Sequence, residues 1–253
     1  MSPRRLFLLL PLLAALASCG PVVVETRQTP VPAPAPAPAP ERPPQISPKA
    51  ERRAEAAARM FVEVIERVEP VAEQQCRQVG RAANCNFLIA VDDRPGQAPN
   101  AFQTLDAAGR PVLAFNLALI MSVDNADELA FVMGHEASHH ILGHLQRAQQ
   151  NAQVGAVIAT GLASVAGVGD EVVRSAQQYG AALGARSYSK DFELEADQMG
   201  TIVTYRAGYN PARGAEFFNR IPDPGNRFLG THPPNSARVD IVRRTYREIS
   251  GGS

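Results

Sequence analysis

The sequence predicts an α+β protein, mainly helical, with a small antiparallel sheet beside one central helix. Apolar residues recur at spacings of three and four from Lys49 to about Gln78, which is typical of an amphipathic helix. Short runs between residues 86 and 115 are rich in β-branched and aromatic side chains and are separated by turn residues, which indicates strands. The chain has no tryptophan and only 6% aromatic residues. This composition favours close-packed helices.

The charge balance is even, with 25 basic and 25 acidic residues. It therefore argues against a nucleic-acid partner and against a polybasic membrane patch.

Residues 1–19 are predicted to be a secretory signal, because Arg4 and Arg5 precede a short apolar run and then small residues. The ending Leu-Ala-Ser-Cys resembles the lipobox of bacterial lipoproteins, which implies a lipid on Cys19. Gly20 follows where an inner-membrane retention signal would have Asp, so the resemblance implies an anchor on the periplasmic face of the outer membrane. A twin-arginine export signal is an alternative route to the same destination.

Residues 20–47 are predicted to be a Pro/Ala-rich tether, since alternating Pro-Ala favours extended polyproline II and excludes helix and sheet. The folded domain is predicted over residues 48–250, beginning with Ser47 as a helix cap and Pro48 in the first turn. Pro70 is expected to kink or end the first helix.

Cys76 and Cys85 remain once Cys19 carries lipid. In an oxidising compartment a disulfide between them is expected, and two buried thiols are the alternative.

A strand is predicted at Asn86 to Val91, followed by a hairpin of Ala101–Leu105 and Pro111–Phe115. A short helix is predicted from Asn116 to Met121. An edge strand of such a sheet can receive an extended peptide as an added strand, although the sequence does not show which strand would do so.

The central helix is predicted within Asn125 to His144, with Asn125 as its cap and Glu128 completing a capping-box pattern. His135 and His139 are one turn apart, so both imidazoles can bind one metal ion. Glu136 lies beside them, where it can take a proton from a metal-activated water.

Gly134, immediately before the first histidine, could let another backbone or a substrate come close.

The segment from Val154 to Val168 is uncharged and rich in small residues, yet it is too short to span a membrane. The sequence leaves open a buried helix, a mobile flap over the cleft, or a segment touching the membrane surface.

Acidic residues that a metal site needs follow at Glu193, Glu195 and Asp197. On a helix, Glu193 and Asp197 share a face, whereas Glu195 points roughly 200° away from Glu193.

The stretches HEASHH and ELEAD together resemble the HExxH and ExxxD motifs of the HtpX-like and CAAX prenyl protease-like zinc peptidases, especially the periplasmic BepA-like and LoiP-like members. This resemblance covers about residues 50–249. It implies a zincin-like metallopeptidase domain with one Zn²⁺ per chain, held by His135, His139 and Glu193. It also implies that Asp197 orients a ligand histidine and that Glu136 is the general base.

Later segments extend the resemblance. The Tyr209-Asn210-Pro211 segment resembles a GYxP segment of the family, and residues 230–234 with Arg238 resemble its THP…R motif. The resemblance implies that His232 approaches the zinc, either to donate a hydrogen bond to the oxyanion or to cap the metal at rest. Arg238 is expected to brace this loop or pair with an acid. His144 matches a histidine that the family often carries, and with His140 it is assigned to packing or to support of the ligands.

The sequence thus predicts a lipid-anchored periplasmic zinc endopeptidase whose substrates are misfolded or unassembled envelope proteins, with outer-membrane assembly machinery as a further partner. The first alternative is a zinc-containing chaperone or assembly factor with little or latent peptidase activity. The second is a structural lipoprotein with a relic site.

Overall fold

A computed structural model describes residues 47–187, 189–225 and 232–251. The described residues are mainly helical with one small sheet, which confirms the predicted fold class. The predicted signal segment, Cys19 and the tether up to residue 46 lie outside the described residues. The helices are α1 Pro48–Val79, α2 Leu117–Ser122, α3 Ala126–Ile141, α4 His144–Val165, α5 Asp170–Ser187, α6 Ser189–Arg206, α7 Pro211–Gly214 and α8 Asn235–Ser250, with a 3-10 turn at Ala215–Asn219; the strands are β1 Leu88–Asp92, β2 Ala101–Leu105 and β3 Pro111–Asn116.

Helix α1 begins at the predicted cap, where the Ser47 hydroxyl accepts a hydrogen bond from the backbone N–H of Ala50 at 3.3 Å. Of the two outcomes expected at Pro70, an end of the helix is wrong. Helix α1 continues through Pro70 to Val79. Val68 before the proline and Ala72 after it are both buried in the same core. Packing on both sides therefore outweighs the one backbone hydrogen bond that proline cannot make.

Cys76 near the end of α1 is disulfide-bonded to Cys85, the pairing that the sequence predicts. The bond ties the end of α1 to the segment that leads into β1.

The sheet has the order β1-β3-β2. The predicted hairpin is present, with β2 antiparallel to β3, but β1 pairs with β3 in parallel, so the sheet is mixed where a wholly antiparallel one was expected. The connection between β1 and β2, residues 93–100, places β2 one strand away from β1 and leaves the position between them for β3. The return strand β3 then runs in the same direction as β1.

Helix α3 is buried on two sides. Leu129, Met133 and Ala137 share a core cluster with Val64 of α1 and Phe115 of β3. On another face, the α3 residue Phe131 packs with a second cluster that includes Phe218 of the 3-10 turn and Val242 of α8. These two clusters hold α3 in place.

The Val154–Val168 segment is not a buried helix, and that alternative is wrong. It forms the outer part of α4, which packs antiparallel on α5, and its large side chains are exposed: Val157 by 72%, Leu162 by 68% and Val165 by 89%. A Cβ on Gly155 would clash with the carbonyl oxygen of Gly180. Glycines thus form the contact between the helices, and the large apolar residues are left outside. None of the described helices has the length and apolar character to cross a membrane.

Candidate metal centre

The start of α3 positions the candidate ligands, which lie about three and four turns further along the helix. The Asn125 side chain accepts a hydrogen bond from the Glu128 backbone N–H at 3.2 Å, as the capping pattern predicts. The buried Glu128 carboxylate accepts instead from the backbone N–H of Asp124 at 2.8 Å, and it also pairs with Arg220 at 2.5 Å. Arg220 therefore ties the beginning of α3 to the segment after the 3-10 turn.

Gly134 allows α6 to touch α3, which confirms the expectation that a backbone comes close there. A Cβ on Gly134 would lie 3.0 Å from both the carbonyl oxygen of Gly200 and the hydroxyl of Thr204. Glu193 precedes Gly200 by two turns of α6, so this contact brings its carboxylate to the histidines of α3.

His135, His139 and Glu193 meet with ligand atoms close together. The two Nε2 atoms are 3.1 Å apart, and the Glu193 oxygens lie 3.6 Å from Nε2 of His135 and 3.4 Å from Nε2 of His139. A tetrahedron whose centre is about 2.0–2.1 Å from its corners, the distance typical of zinc ligands, has edges of about 3.3 Å. Two imidazole nitrogens and a carboxylate group at these spacings fit a divalent metal with a fourth position for water.

His135 is held by Asp197 from behind. Its Nδ1 lies 2.9 Å from Oδ1 of Asp197, and Arg238 donates to both oxygens of Asp197 at 2.7 Å. All three side chains are buried. A carboxylate on Nδ1 keeps the hydrogen there and leaves Nε2 free to bind a metal. Arg238 thus pairs with an acid, one of the two possibilities that the sequence left open.

His139 is held by a different group. Its Nδ1 lies 2.9 Å from Nδ1 of His144, and Nε2 of His144 lies 3.2 Å from Glu195. Glu195 points away from the metal ligands and pairs with Arg147 at 2.5 Å. Sequence reasoning missed the role of Arg147 altogether, although its position one turn after His144 was visible. His140 contacts the carbonyl oxygen of Asn84 at 2.6 Å, so it serves packing.

The protonation of His139 and Glu193 suits metal binding. Burial, together with the nearby charge of His135, lowers the pKa of His139 to about 3, so that its imidazole is neutral. Burial acts to raise the pKa of Glu193, but the hydrogen bond from His232 and the charges of His135 and Arg238 outweigh it and keep that pKa well below its usual range. Glu193 is therefore an ionised carboxylate beside the neutral imidazole of His139, the forms in which these two groups bind metals.

Glu136 faces the same cleft as the ligands. Burial raises the pKa of its carboxyl group, and the negative charge of Glu193 adds to this effect against the positive charges of His135 and Arg238. A raised pKa makes the ionised carboxylate a stronger base towards a water molecule in the cleft.

His232 reaches the edge of the site. Its Nδ1 lies 3.1 Å from Oε2 of Glu193, and its side chain is 54% exposed. Residues 230 and 231 of the same motif lie outside the described part of the chain.

A cleft of about 960 Å³ opens over these groups. One wall consists of the edge strand β2 and the residues before it, including Asn100, Ala101 and Phe102. Apolar side chains such as Phe131 and Phe218 line the other parts. The cleft therefore lies between a sheet edge and the candidate metal ligands.

Residues 62–246 match Peptidase family M48. The chain is 30% identical over 148 residues to the beta-barrel assembly-enhancing protease of Yersinia pestis and 31% identical over 145 residues to that of Escherichia coli (strain K12); each match covers 52% of this chain and 30% of the relative. A putative beta-barrel assembly-enhancing protease of Vibrio cholerae is 27% identical over 149 residues, which cover 54% of this chain and 31% of the relative. The matched region thus spans less than a third of these relatives. The resemblance read from HEASHH and ELEAD is confirmed, and because the family match covers more than half of the chain, this protein belongs to Peptidase family M48.

Proposed function

We propose that this protein is a zinc endopeptidase in which His135, His139 and Glu193 hold the metal. The observation that carries the proposal is the spacing of 3.1–3.6 Å among the Nε2 atoms of the two histidines and the two carboxylate oxygens of Glu193, next to Glu136 in one cleft. The donor set of two imidazoles and one carboxylate, with room for water, is that of zinc hydrolases.

The chemistry divides between the metal and the protein. Bound zinc would polarise the peptide carbonyl and acidify a water molecule. Glu136 would take the proton of the attacking water and pass it to the leaving amine, since it faces the cleft beside the ligands and its raised pKa makes it a stronger base. Asp197 and Arg238 hold His135 in position. His232, next to Glu193, would either donate a hydrogen bond to the oxyanion or cap the metal in a resting state.

The substrate would bind as an extended chain along β2. This strand lies at the edge of the sheet and lines the cleft, so its backbone groups can pair with a peptide as an added strand. Such recognition uses main-chain hydrogen bonds and depends little on substrate sequence. It suits unfolded or unassembled proteins.

For the cellular setting, we propose a lipid on Cys19, a tether over residues 20–47 and a location at the periplasmic face of the outer membrane. The peptidase domain is assigned to residues 48–250. The substrates would be misfolded or unassembled envelope proteins, and outer-membrane assembly machinery would be a further partner. The names of the relatives, which are beta-barrel assembly-enhancing proteases, support the proposed link to outer-membrane assembly.

A second candidate function is that of a zinc-containing chaperone or assembly factor. The contact between His232 and Glu193 favours it, because a histidine placed at the metal site can hold peptidase activity off.

The test compares full-length wild-type protein with Glu136→Gln, using unfolded casein as substrate and metal analysis in parallel. The variant should retain about one zinc per chain and lose at least about 100-fold in cleavage rate. Glu63→Gln, on the exposed face of α1, is the matched control and should cleave at the wild-type rate. Undiminished cleavage by Glu136→Gln would contradict the mechanism.

Two further measurements separate the open alternatives. Faster cleavage by His232→Ala would indicate a latch, whereas lost cleavage would indicate an oxyanion donor. Restoration of envelope integrity in a deletion strain by Glu136→Gln would favour the assembly-factor function over proteolysis.

A further inference from the structure

We propose that Glu195 and Arg147 form a positioning pair for the second histidine ligand, acting on His139 through His144. The inference rests on the proposed zinc site. It assigns a role to two residues on the outside of that site, neither of which is a ligand.

The direction of each hydrogen bond follows from one requirement: a nitrogen that binds a metal must carry a free lone pair. Nε2 of His139 faces Nε2 of His135 and the Glu193 carboxylate, so its lone pair must be free for the metal. The hydrogen of a neutral His139 is then on Nδ1, and it is donated over 2.9 Å to Nδ1 of His144. His144 accepts there with a lone pair, so its own hydrogen is on Nε2.

The next acceptor in this direction is Glu195. Nε2 of His144 donates to Oε2 of Glu195 at 3.2 Å. Arg147 in turn donates to both oxygens of Glu195, at 2.5 Å and 3.2 Å. A carboxylate so held accepts only in one orientation, and it selects the tautomer of His144 that can accept from His139.

Packing fixes the imidazole in the middle of this chain. The His144 ring stacks on Phe192 with 4.7 Å between centroids and an interplanar angle of 10°, and it is 4% exposed. The Arg147 guanidinium lies 4.3 Å from the centroid of the same Phe192 ring. Phe192 directly precedes Glu193 in the chain. The residue next to the third proposed ligand therefore packs against His144 and Arg147, which support the second ligand, His139.

Each of the two histidine ligands is thus linked to a carboxylate that pairs with an arginine, one directly and the other through an intervening histidine. His135 is held directly by Asp197, which Arg238 grips; His139 is held by Glu195 through His144, and Arg147 grips Glu195. The first support is buried. In the second, the Glu195 side chain is 39% exposed. The orientation of His139 therefore depends on residues at the start of α4 and on α6.

The test measures the zinc dissociation constant of the full-length protein by competition with a chromophoric chelator, and the visible absorption spectrum of the Co²⁺-substituted protein. Glu195→Ala and Arg147→Ala should each raise the dissociation constant by about 10- to 100-fold and alter the Co²⁺ spectrum. The zinc dissociation constant of the double variant should be no higher than that of the more weakly binding single variant, because both residues act through one chain of contacts. Glu63→Ala breaks an exposed ion pair on α1 and should change neither quantity.

Rescue at His144 separates positioning from general stability. His144→Gln retains an amide oxygen that can accept from His139 and an amide N–H that can donate to Glu195, whereas His144→Leu retains neither. The Gln variant should bind zinc more tightly than the Leu variant.

Two results would overturn the inference. An unchanged dissociation constant and Co²⁺ spectrum in Glu195→Ala and Arg147→Ala, with a lower melting temperature, would mean that the pair only ties α4 to α6. Wild-type protein that binds no zinc would overturn the proposed function and this inference with it, whereas zinc binding that is equal in all variants overturns the inference alone.

Discussion

A Cβ atom on Gly200 would lie 2.9 Å from the backbone nitrogen of His135. Helices α3 and α6 are therefore in backbone contact at the first ligand, and the distance from His135 and His139 to Glu193 depends on that contact. Replacement of Gly200 by alanine should force the helices apart.

Gly200→Ala is expected to lower the free energy of unfolding by about 1–3 kcal/mol and to weaken zinc binding, because the added methyl meets backbone atoms that cannot move aside. Urea unfolding and chelator competition measure the two effects. Gly161→Ala is the matched control, since its Cβ would meet open space; it should raise stability by about 0.4–1 kcal/mol. Wild-type zinc affinity in Gly200→Ala would contradict the argument.

Arg238→Ala should be strongly destabilising, because it leaves the fully buried Asp197 carboxylate without its cation. Loss of one partner of a buried ion pair costs about 3–5 kcal/mol. Chemical denaturation measures the change. Arg59→Ala, which breaks an exposed pair with Glu55, should cost at most about 1 kcal/mol. Equal effects of the two substitutions would show that the buried pair adds nothing particular to stability.

The disulfide should stabilise the fold without affecting the metal. It joins residues nine positions apart, and the chain-entropy relation gives about 2.6 kcal/mol for a loop of that length. The double variant Cys76→Ala with Cys85→Ala should lose about this much free energy of unfolding while the zinc dissociation constant stays the same. Reduced wild-type protein should match the double variant. A changed zinc affinity would show that the disulfide reaches the site.

Removal of the metal should lower the melting temperature and leave the protein folded. Zinc at 1,000 times its dissociation constant stabilises the folded state by about 4 kcal/mol. Without the metal, Oε2 of Glu193 still lies 3.1 Å from Nδ1 of His232 and 3.5 Å from the Arg238 guanidinium. The negative charge of Glu193 therefore keeps favourable partners, and the fold does not depend on the metal. Thermal scans with and without EDTA measure the effect. Glu193→Ala should show little response to EDTA, and an equal response would place the metal elsewhere.

Much of the site could be predicted because its parts are local in the sequence. The spacing of His135 and His139 determines that they share a helix face, and Asn125 signals where that helix begins. Glu193 and Asp197 share a face for the same reason, and a resemblance to a known motif indicated which acid is the candidate metal ligand. The Cys76–Cys85 pairing followed from the small number of cysteines.

The sequence by itself therefore determined α1, α2, α3, the strands and the residues that can bind a metal, since periodicity and capping act over a few residues. Only the tertiary structure decided how these elements meet. It made the sheet mixed, carried α1 past Pro70, turned the apolar side chains of α4 outward and directed Glu195 to Arg147 and His144. Each of these outcomes depends on contacts between residues far apart in the chain, where the energy of packing outweighs the local preference.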